Sequence, residues 1–244
     1  ILVVSGIGCS SNFPGFFNSY GFHSIHGRSL PIATGAKLAN HDLNVVVTGG
    51  DGDGYGIGLG HFIHAMRRNL NITYIVMNNG TYGLTTGQAS PTSDKGFKTK
   101  STPQGSIENP INPMPLSIVS GATYVARGFS GDPSGMTDLI TKGIEHNGFS
   151  LIDVFSPCVT YNKVNTYDYY RERIYKLIDI NHDSSDFNKA IEKSFELGEK
   201  IPIGLFYQTN KPTYEDEDPV LSSSSLLNKK RSELDASIVL EEFY

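Results

Sequence analysis

Val45–Val47 place three β-branched apolar side chains in a row, and the chain then runs through seven glycines and two aspartates before His61. A strand that is apolar at consecutive positions has both faces covered, as in a parallel sheet with helices packed on either side. The runs Ile1–Val4, Ile72–Met77, Thr123–Ala126 and Leu151–Phe155 have the same texture. Apolar spacings of three and four predict helices over Ser29–Ala39, Ile57–Arg68, Pro115–Ser120, Pro133–His146 and Phe187–Glu199. Strand and helix alternate, so the expected fold class is α/β, a mainly parallel sheet with helices on both faces. Ligands of such sheets bind beyond the carboxyl ends of the strands. Function is therefore expected after Val4, after Val47 and after Met77.

The net charge of −5 gives no electrostatic reason to expect nucleic acid or an anionic membrane. Apolar runs of a few residues fall far short of the roughly 20 that cross a bilayer. Only two cysteines occur, Cys9 and Cys158. They do not make a disulfide-stapled secreted scaffold, and a reducing, cytoplasmic compartment is expected. The opening "ILVVSG" already reads as a buried strand, so a segment preceding Ile1 is expected.

Thr85–Pro115 holds five prolines and reads as a long ordered loop or a flap. Beyond Thr160 the chain turns polar, then regains a helix and the strand-like "IPIGLFYQ" (Ile201–Gln208). "TYEDEDP" and "SSSSLLNKKRSE" read as solvated or partner-bound extensions. The expected division is a binding domain over 1–175 and a helix–strand extension with a polar tail over 176–244.

Three readings compete for "GGDGDGYGIGLG". A dinucleotide loop needs G-x-G-x-x-G, and the alternating glycines provide no such register. A calcium EF-hand started at Asp51 has Tyr55 at its fifth position and Phe62 where a bidentate glutamate is required. The third reading looks downstream, where "GDG" (Gly50–Gly52) is followed after 25 residues by "NN" (Asn78–Asn79), past the next apolar strand. This pair resembles the thiamine diphosphate motif. A diphosphate is a concentrated anion that needs a divalent cation, and Mg²⁺ takes near-octahedral oxygen ligands, few of them from protein. Glycines and the positive end of a helix starting near Gly56 suit phosphate oxygens. A surface turn is the bland reading of any single Gly-Asp-Gly.

"GIGCSSNFPGF", "HSIHGRSLPIATGAKLAN", "GGDGDGYGIGLGHFIHAMRRN", "NNGTYGLTTGQASPTS" and "DVFSPCVTYN" occur in this order. Together they resemble the β subunits of 2-oxoacid:ferredoxin oxidoreductases, from Ile1 to about Tyr175, with "IPIGLFYQ" extending the match to Gln208. The resemblance implies a thiamine diphosphate-binding fold. It implies oxidative decarboxylation of a 2-oxoacid, 2-oxoglutarate or pyruvate, to an acyl-coenzyme A. Electrons would pass through a [4Fe–4S] cluster to ferredoxin. The segment "SSNFPGFFNSYGFH" looks nearest to enzymes acting on 2-oxoglutarate.

Site residues follow from the same resemblance. Asp51, Asn79 and the carbonyl of Thr81 would hold Mg²⁺. Ile7, Gly8, Cys9, Ser10 and His26 would line the cofactor, Gly50, Asp51, Gly52 and Asp53 its diphosphate, and Gly83–Leu84 the turn beyond the metal. Asp53 would orient the loop or touch the cofactor. Cys9 and Cys158 match two of the family's four cluster ligands; the other two, a C-x-x-C, are expected upstream of Ile1. The glutamate that activates the cofactor belongs to the partner α subunit, so this chain alone would be inactive. Some relatives carry lysine where Asn12 and Thr86 stand, which bears on the acids accepted. His61 and His64 share a helix face but are assigned to packing or surface. A non-redox thiamine diphosphate decarboxylase or synthase would use Asp51 and Asn79 but not the cysteines as cluster ligands. A catalytically incomplete scaffold subunit is the other alternative.

Overall fold

A computed structural model describes residues 1–229 and 236–241. Eight strands form one sheet: β1 (Leu2–Ser5), β2 (Tyr20–His23), β3 (Val45–Gly50), β4 (Thr73–Asn78), β5 (Tyr124–Phe129), β6 (Ser150–Phe155), β7 (Ile174–Lys176) and β8 (Ile201–Gln208). Their spatial order is β2-β1-β3-β4-β6-β5-β8-β7. The first six are mutually parallel, and β8 runs antiparallel to β5. The strand from beyond residue 175 thus continues the sheet of the first 175 residues.

Successive side chains of a strand point to opposite faces, and the core divides accordingly. Val45, Val47, Tyr74, Val76, Val125 and Leu151 join Leu30, Phe62, Met66, Ile118 and Ala190 in one cluster. Those partners come from α1 (Ser29–Ala39), α2 (Leu59–Arg68), α3 (Pro113–Val119) and, after α4 (Pro133–Glu145) and α5 (Tyr167–Arg173), from α6 (Phe187–Ser194). Val46, Ile75, Tyr124, Ala126, Ile152 and Val154 face the other way, against Met136, Leu139 and Ile140 of α4 (Pro133–Glu145). Each large apolar side chain buried this way stabilises the fold by roughly 1.5–3 kcal/mol. Apolar character at consecutive positions thus reflects helices on both faces.

Several boundaries differ from the sequence reading. Helix α6 ends at Ser194 instead of Glu199; Asn112 Nδ2 caps the Ser194 carbonyl, and Glu196 turns to Lys193. Strand β2 and helix α5 (Tyr167–Arg173) were not read from the sequence. β2 is an edge strand exposed at every position, so it lacks the buried pattern that marks β1, β3, β4, β5 and β6. The segment "TYEDEDP", expected as a solvated or partner-bound extension, is exposed at most positions but is helical. It forms α7 (Tyr214–Glu217) under a Thr213–Asp216 capping box, with Thr213 and Glu215 buried. Ser225 then donates to the carbonyl of Ala39, returning the tail to α1. Residues 230–233 of "SSSSLLNKKRSE" lie outside the described residues.

Candidate active site

Strands β1, β3, β4 and β6 are neighbours and parallel, so their carboxyl ends share one edge. The segments leaving that edge carry Cys9, Asp51, Asn79 and Cys158. They surround a cavity lined by Ile7, Gly8, Cys9, His26, Gly50, Asp51, Gly52 and Asp53, and by Asn79, Thr81, Gly83 and Leu84. Met77, Tyr82 and Thr85 complete its wall. Ser10 is buried, does not line the cavity, and its hydroxyl has no hydrogen-bond partner. Asn12 and Thr86 are exposed and also lie outside the lining.

The chain does not cross from β3 to α2 through an open loop. It winds directly into a π-helical turn over Gly52–Ile57, in which Gly58 N–H donates to the Asp53 carbonyl at 3.0 Å. π-turns inside helices often mark functional sites. The helical end therefore lies beside Asp51, several residues earlier than expected. None of the seven glycines takes a positive φ. What they permit is close approach: a Cβ on Gly52 would stand 2.1 Å from Tyr82 Cε1, and one on Gly54 2.1 Å from the Tyr74 hydroxyl.

Asp51 is 1% exposed. Its Oδ2 accepts from Ser90 Oγ at 2.5 Å and Thr92 Oγ1 at 2.7 Å, and its Oδ1 accepts from the Asn79 main-chain N–H at 3.4 Å. Burial raises its pKa above the ordinary carboxylate value, and these three donors oppose the rise. Asn79 Oδ1 accepts from Thr81 N–H at 3.1 Å, and the Thr81 carbonyl accepts from Gly83 N–H. One carboxylate, one amide oxygen and one carbonyl are hard oxygen donors of the kind Mg²⁺ takes, sparing several positions for water and phosphate. The residues present fit the metal and a diphosphate beside it.

Asp53 does different work. Its Oδ1 accepts from the main-chain N–H groups of Gly27 at 2.7 Å and Ile7 at 3.0 Å, tying "GIGCS" and "HGR" to the turn. Burial raises this carboxyl too, against those hydrogen bonds and nearby His26. Its Oδ2 is buried with no hydrogen-bond partner.

The Cys9 and Cys158 thiols approach a common point: a Cβ on Gly83 would meet them at 3.2 and 3.7 Å. Both are free. Partial burial raises the Cys9 thiol above its ordinary value, with Cys158 and Asp51 adding to the rise. Among the described residues no group of three or more His, Cys, Asp or Glu side chains could hold a metal ion, His61 and His64 included. These two thiols can supply half of a four-cysteine cluster site.

Sequence reasoning missed Ser90 and Thr92, and read Asn78 only as the first residue of the "NN" motif. All three lie in "NNGTYGLTTGQASPTS", and in the long proline-containing segment Ser90, Ser93 and Phe97 are buried while most of 98–110 is exposed. The available signal was a pair of hydroxyl residues two apart, too common to single out.

Comparison with known proteins gives the following. Residues 6–154 match the family described as "Thiamine pyrophosphate enzyme, C-terminal TPP binding domain". Residues 158–223 match the family of the C-terminal part of the pyruvate ferredoxin oxidoreductase beta subunit. The chain is 48% identical over 241 residues to the 2-oxoacid:ferredoxin oxidoreductase subunit beta of Saccharolobus solfataricus, covering 93% of this chain and 79% of that one. It is 42% identical over 217 residues to the 2-oxoglutarate synthase subunit KorB of Methanocaldococcus jannaschii, covering 88% and 80%. A solved 2-oxoglutarate:ferredoxin oxidoreductase from Magnetococcus marinus, with 2-oxoglutarate, coenzyme A and succinyl-CoA bound, superposes with a TM-score of 0.90 at 42% identity. The superposition covers all of this chain and 82% of that one.

Proposed function

The chain belongs to the family of 2-oxoacid:ferredoxin oxidoreductase β subunits, and we propose that with an α subunit it converts a 2-oxoacid and coenzyme A to an acyl-coenzyme A and CO₂. Two electrons leave in the process and reduce ferredoxin, one at a time. The observation that carries this reading is the convergence of Asp51, Asn79 and Thr81 on one cavity at the carboxyl edge of the sheet.

In this reading Asp51, Asn79 Oδ1 and the Thr81 carbonyl hold Mg²⁺, and Ser90 and Thr92 aim the Asp51 carboxylate by donating to its Oδ2. The N–H groups that open the π-helical turn would be the donors offered to the diphosphate. Asp53 holds the segments bearing Ile7 and Gly27 against that turn. Thiamine diphosphate, when bound, supplies the nucleophilic carbon and the electron sink for decarboxylation. Cys9 and Cys158, the two cysteines of the sequence, would supply two thiolates to a [4Fe–4S] cluster.

The cavity lining holds two carboxylates, Asp51 and Asp53, and no glutamate. In this reading the activating glutamate belongs to the partner subunit, as the resemblance to the family implies. Phe16, Tyr20, Phe22 and Ile25, exposed along and beside edge strand β2, offer apolar surface for such a subunit. Two free thiols suit a reducing cytoplasm. Among the described residues no helix is long and apolar enough to cross a membrane. The substrate we propose is 2-oxoglutarate, from the solved relative and the KorB subunit.

Coenzyme A-dependent ferredoxin reduction by the assembled enzyme tests this function. A response to 2-oxoglutarate exceeding that to pyruvate is expected. No response to any 2-oxoacid would contradict it, and decarboxylation without ferredoxin reduction would favour a non-redox enzyme.

A further inference from the structure

Behind the metal site lies a buried ion pair that the proposed reaction does not use. Arg127 in β5 is 1% exposed and Asp153 in β6 is 0% exposed, with Arg127 Nε donating to Asp153 Oδ2 at 3.1 Å. The guanidinium lies over the Phe155 ring, 4.7 Å from its centroid. Taking two charges out of water is costly, and such a pair is weak evidence for stability on its own.

The other oxygen of Asp153 shows what the pair does. Asp153 Oδ1 accepts from the Tyr55 hydroxyl at 3.0 Å and from Asn78 Nδ2 at 3.1 Å. Tyr55 belongs to the π-helical turn that begins after Asp51, and Asn78 directly precedes Asn79. One carboxylate oxygen therefore ties together the two segments that bring Asp51 and Asn79 to the cavity. Asn78 Oδ1, turned away from Asp153, is 2.9 Å from Thr92 Oγ1, the hydroxyl that reaches Asp51.

On the reading that Asp51 and Asn79 hold Mg²⁺, we infer that Asp153 is a positioning residue for the metal. Its Oδ1 fixes the separation of the two ligand-bearing segments through Tyr55 and Asn78. Arg127 balances its charge. The hydrogen-bond acceptor at position 153 is what positions the site; the charge is the consequence of using a carboxylate with both oxygens engaged.

The test is the Mg²⁺ concentration that half-saturates thiamine diphosphate binding, measured by calorimetry on the assembled, full-length enzyme. Tyr55→Phe removes one anchor and leaves the ion pair intact. It is expected to raise that concentration about tenfold, the scale of one lost hydrogen bond to a charged group, and the same loss is expected to lower the melting temperature of the cofactor-free protein by a few degrees. Asp153→Leu removes both anchors and is expected to raise it further. Arg127→Met combined with Asp153→Asn keeps an acceptor and strands no charge, so it is expected to stay within about threefold of wild type. If Tyr55→Phe and Asp153→Leu require no more Mg²⁺ than wild type, whatever their melting temperatures, the pair is merely structural and the inference is overturned. Wild-type binding that ignores Mg²⁺ would instead overturn the metal reading beneath it.

Discussion

The Thr92 hydroxyl stands 2.7 Å from Asp51 Oδ2, reaching from a loop forty-one residues further along the chain. With Ser90 at 2.5 Å on the same oxygen, it turns a buried carboxylate into a fixed one. Thr92→Val removes the hydroxyl at nearly constant volume and is expected to weaken Mg²⁺-dependent cofactor binding about tenfold, because a hydrogen bond to a charged group contributes roughly 1.5–3 kcal/mol. Calorimetry at a series of Mg²⁺ concentrations reads the change. Unaltered affinity would mean that this hydroxyl does not orient the ligand.

Gly52 and Tyr82 give a steric counterpart. Gly52→Ala places a Cβ 2.1 Å from Tyr82 Cε1, an overlap that forces the ring to move and is expected to cost about 1–3 kcal/mol. Pairing it with Tyr82→Leu should recover part of that loss in urea denaturation. A neutral Gly52→Ala would show that the ring has room the structure does not display.

Cys158→Ser tests the thiols apart from the metal. Iron and acid-labile sulfide in the assembled enzyme are expected to fall well below wild-type content, while Mg²⁺-dependent thiamine diphosphate binding remains. Full iron content in the variant would remove Cys158 from the cluster.

Burial lifts the Asp51 carboxyl above its ordinary value of 3.8. A pKa raised in the folded state means the folded protein holds the proton more tightly. The stability this contributes is complete below pH 3.8 and is lost as pH rises through the raised folded value. Cofactor-free wild type should therefore lose more stability across that window than Asp51→Asn, which has no proton to release. Asp53 shifts in the same direction but is common to both proteins. Urea unfolding at a series of pH values gives the two slopes, and equal slopes would show that Asp51 is not the group responsible.

The alternation of apolar runs and the spacing from Asp51 to Asn79 were legible because both follow from a parallel sheet. Strands apolar on both faces announce helices, and consecutive strand ends bring together residues far apart in sequence. The support behind the ligands was harder to read. Ser90 and Thr92 lie in a segment without periodicity, where no pattern distinguishes a buried hydroxyl from an exposed one. Arg127 and Asp153 did leave a signal, a charge inside each of the apolar strands "YVARGF" and "SLIDVF". A charge at a strand interior has to find a partner on a neighbouring strand, and β5 and β6 pair Arg127 with Asp153 in register. The glycines were read as phosphate-facing; their visible role in the fold is to admit Tyr74 and Tyr82.

The most direct test of the metal–diphosphate assignment is calorimetric titration of thiamine diphosphate into the assembled enzyme, with and without Mg²⁺, for wild type and Asp51→Asn. Wild type should bind tightly only with Mg²⁺, and Asp51→Asn should lose that dependence together with at least about 100-fold in affinity, some 2.7 kcal/mol. Equal affinity in the two proteins, or wild-type binding indifferent to Mg²⁺, would contradict the account.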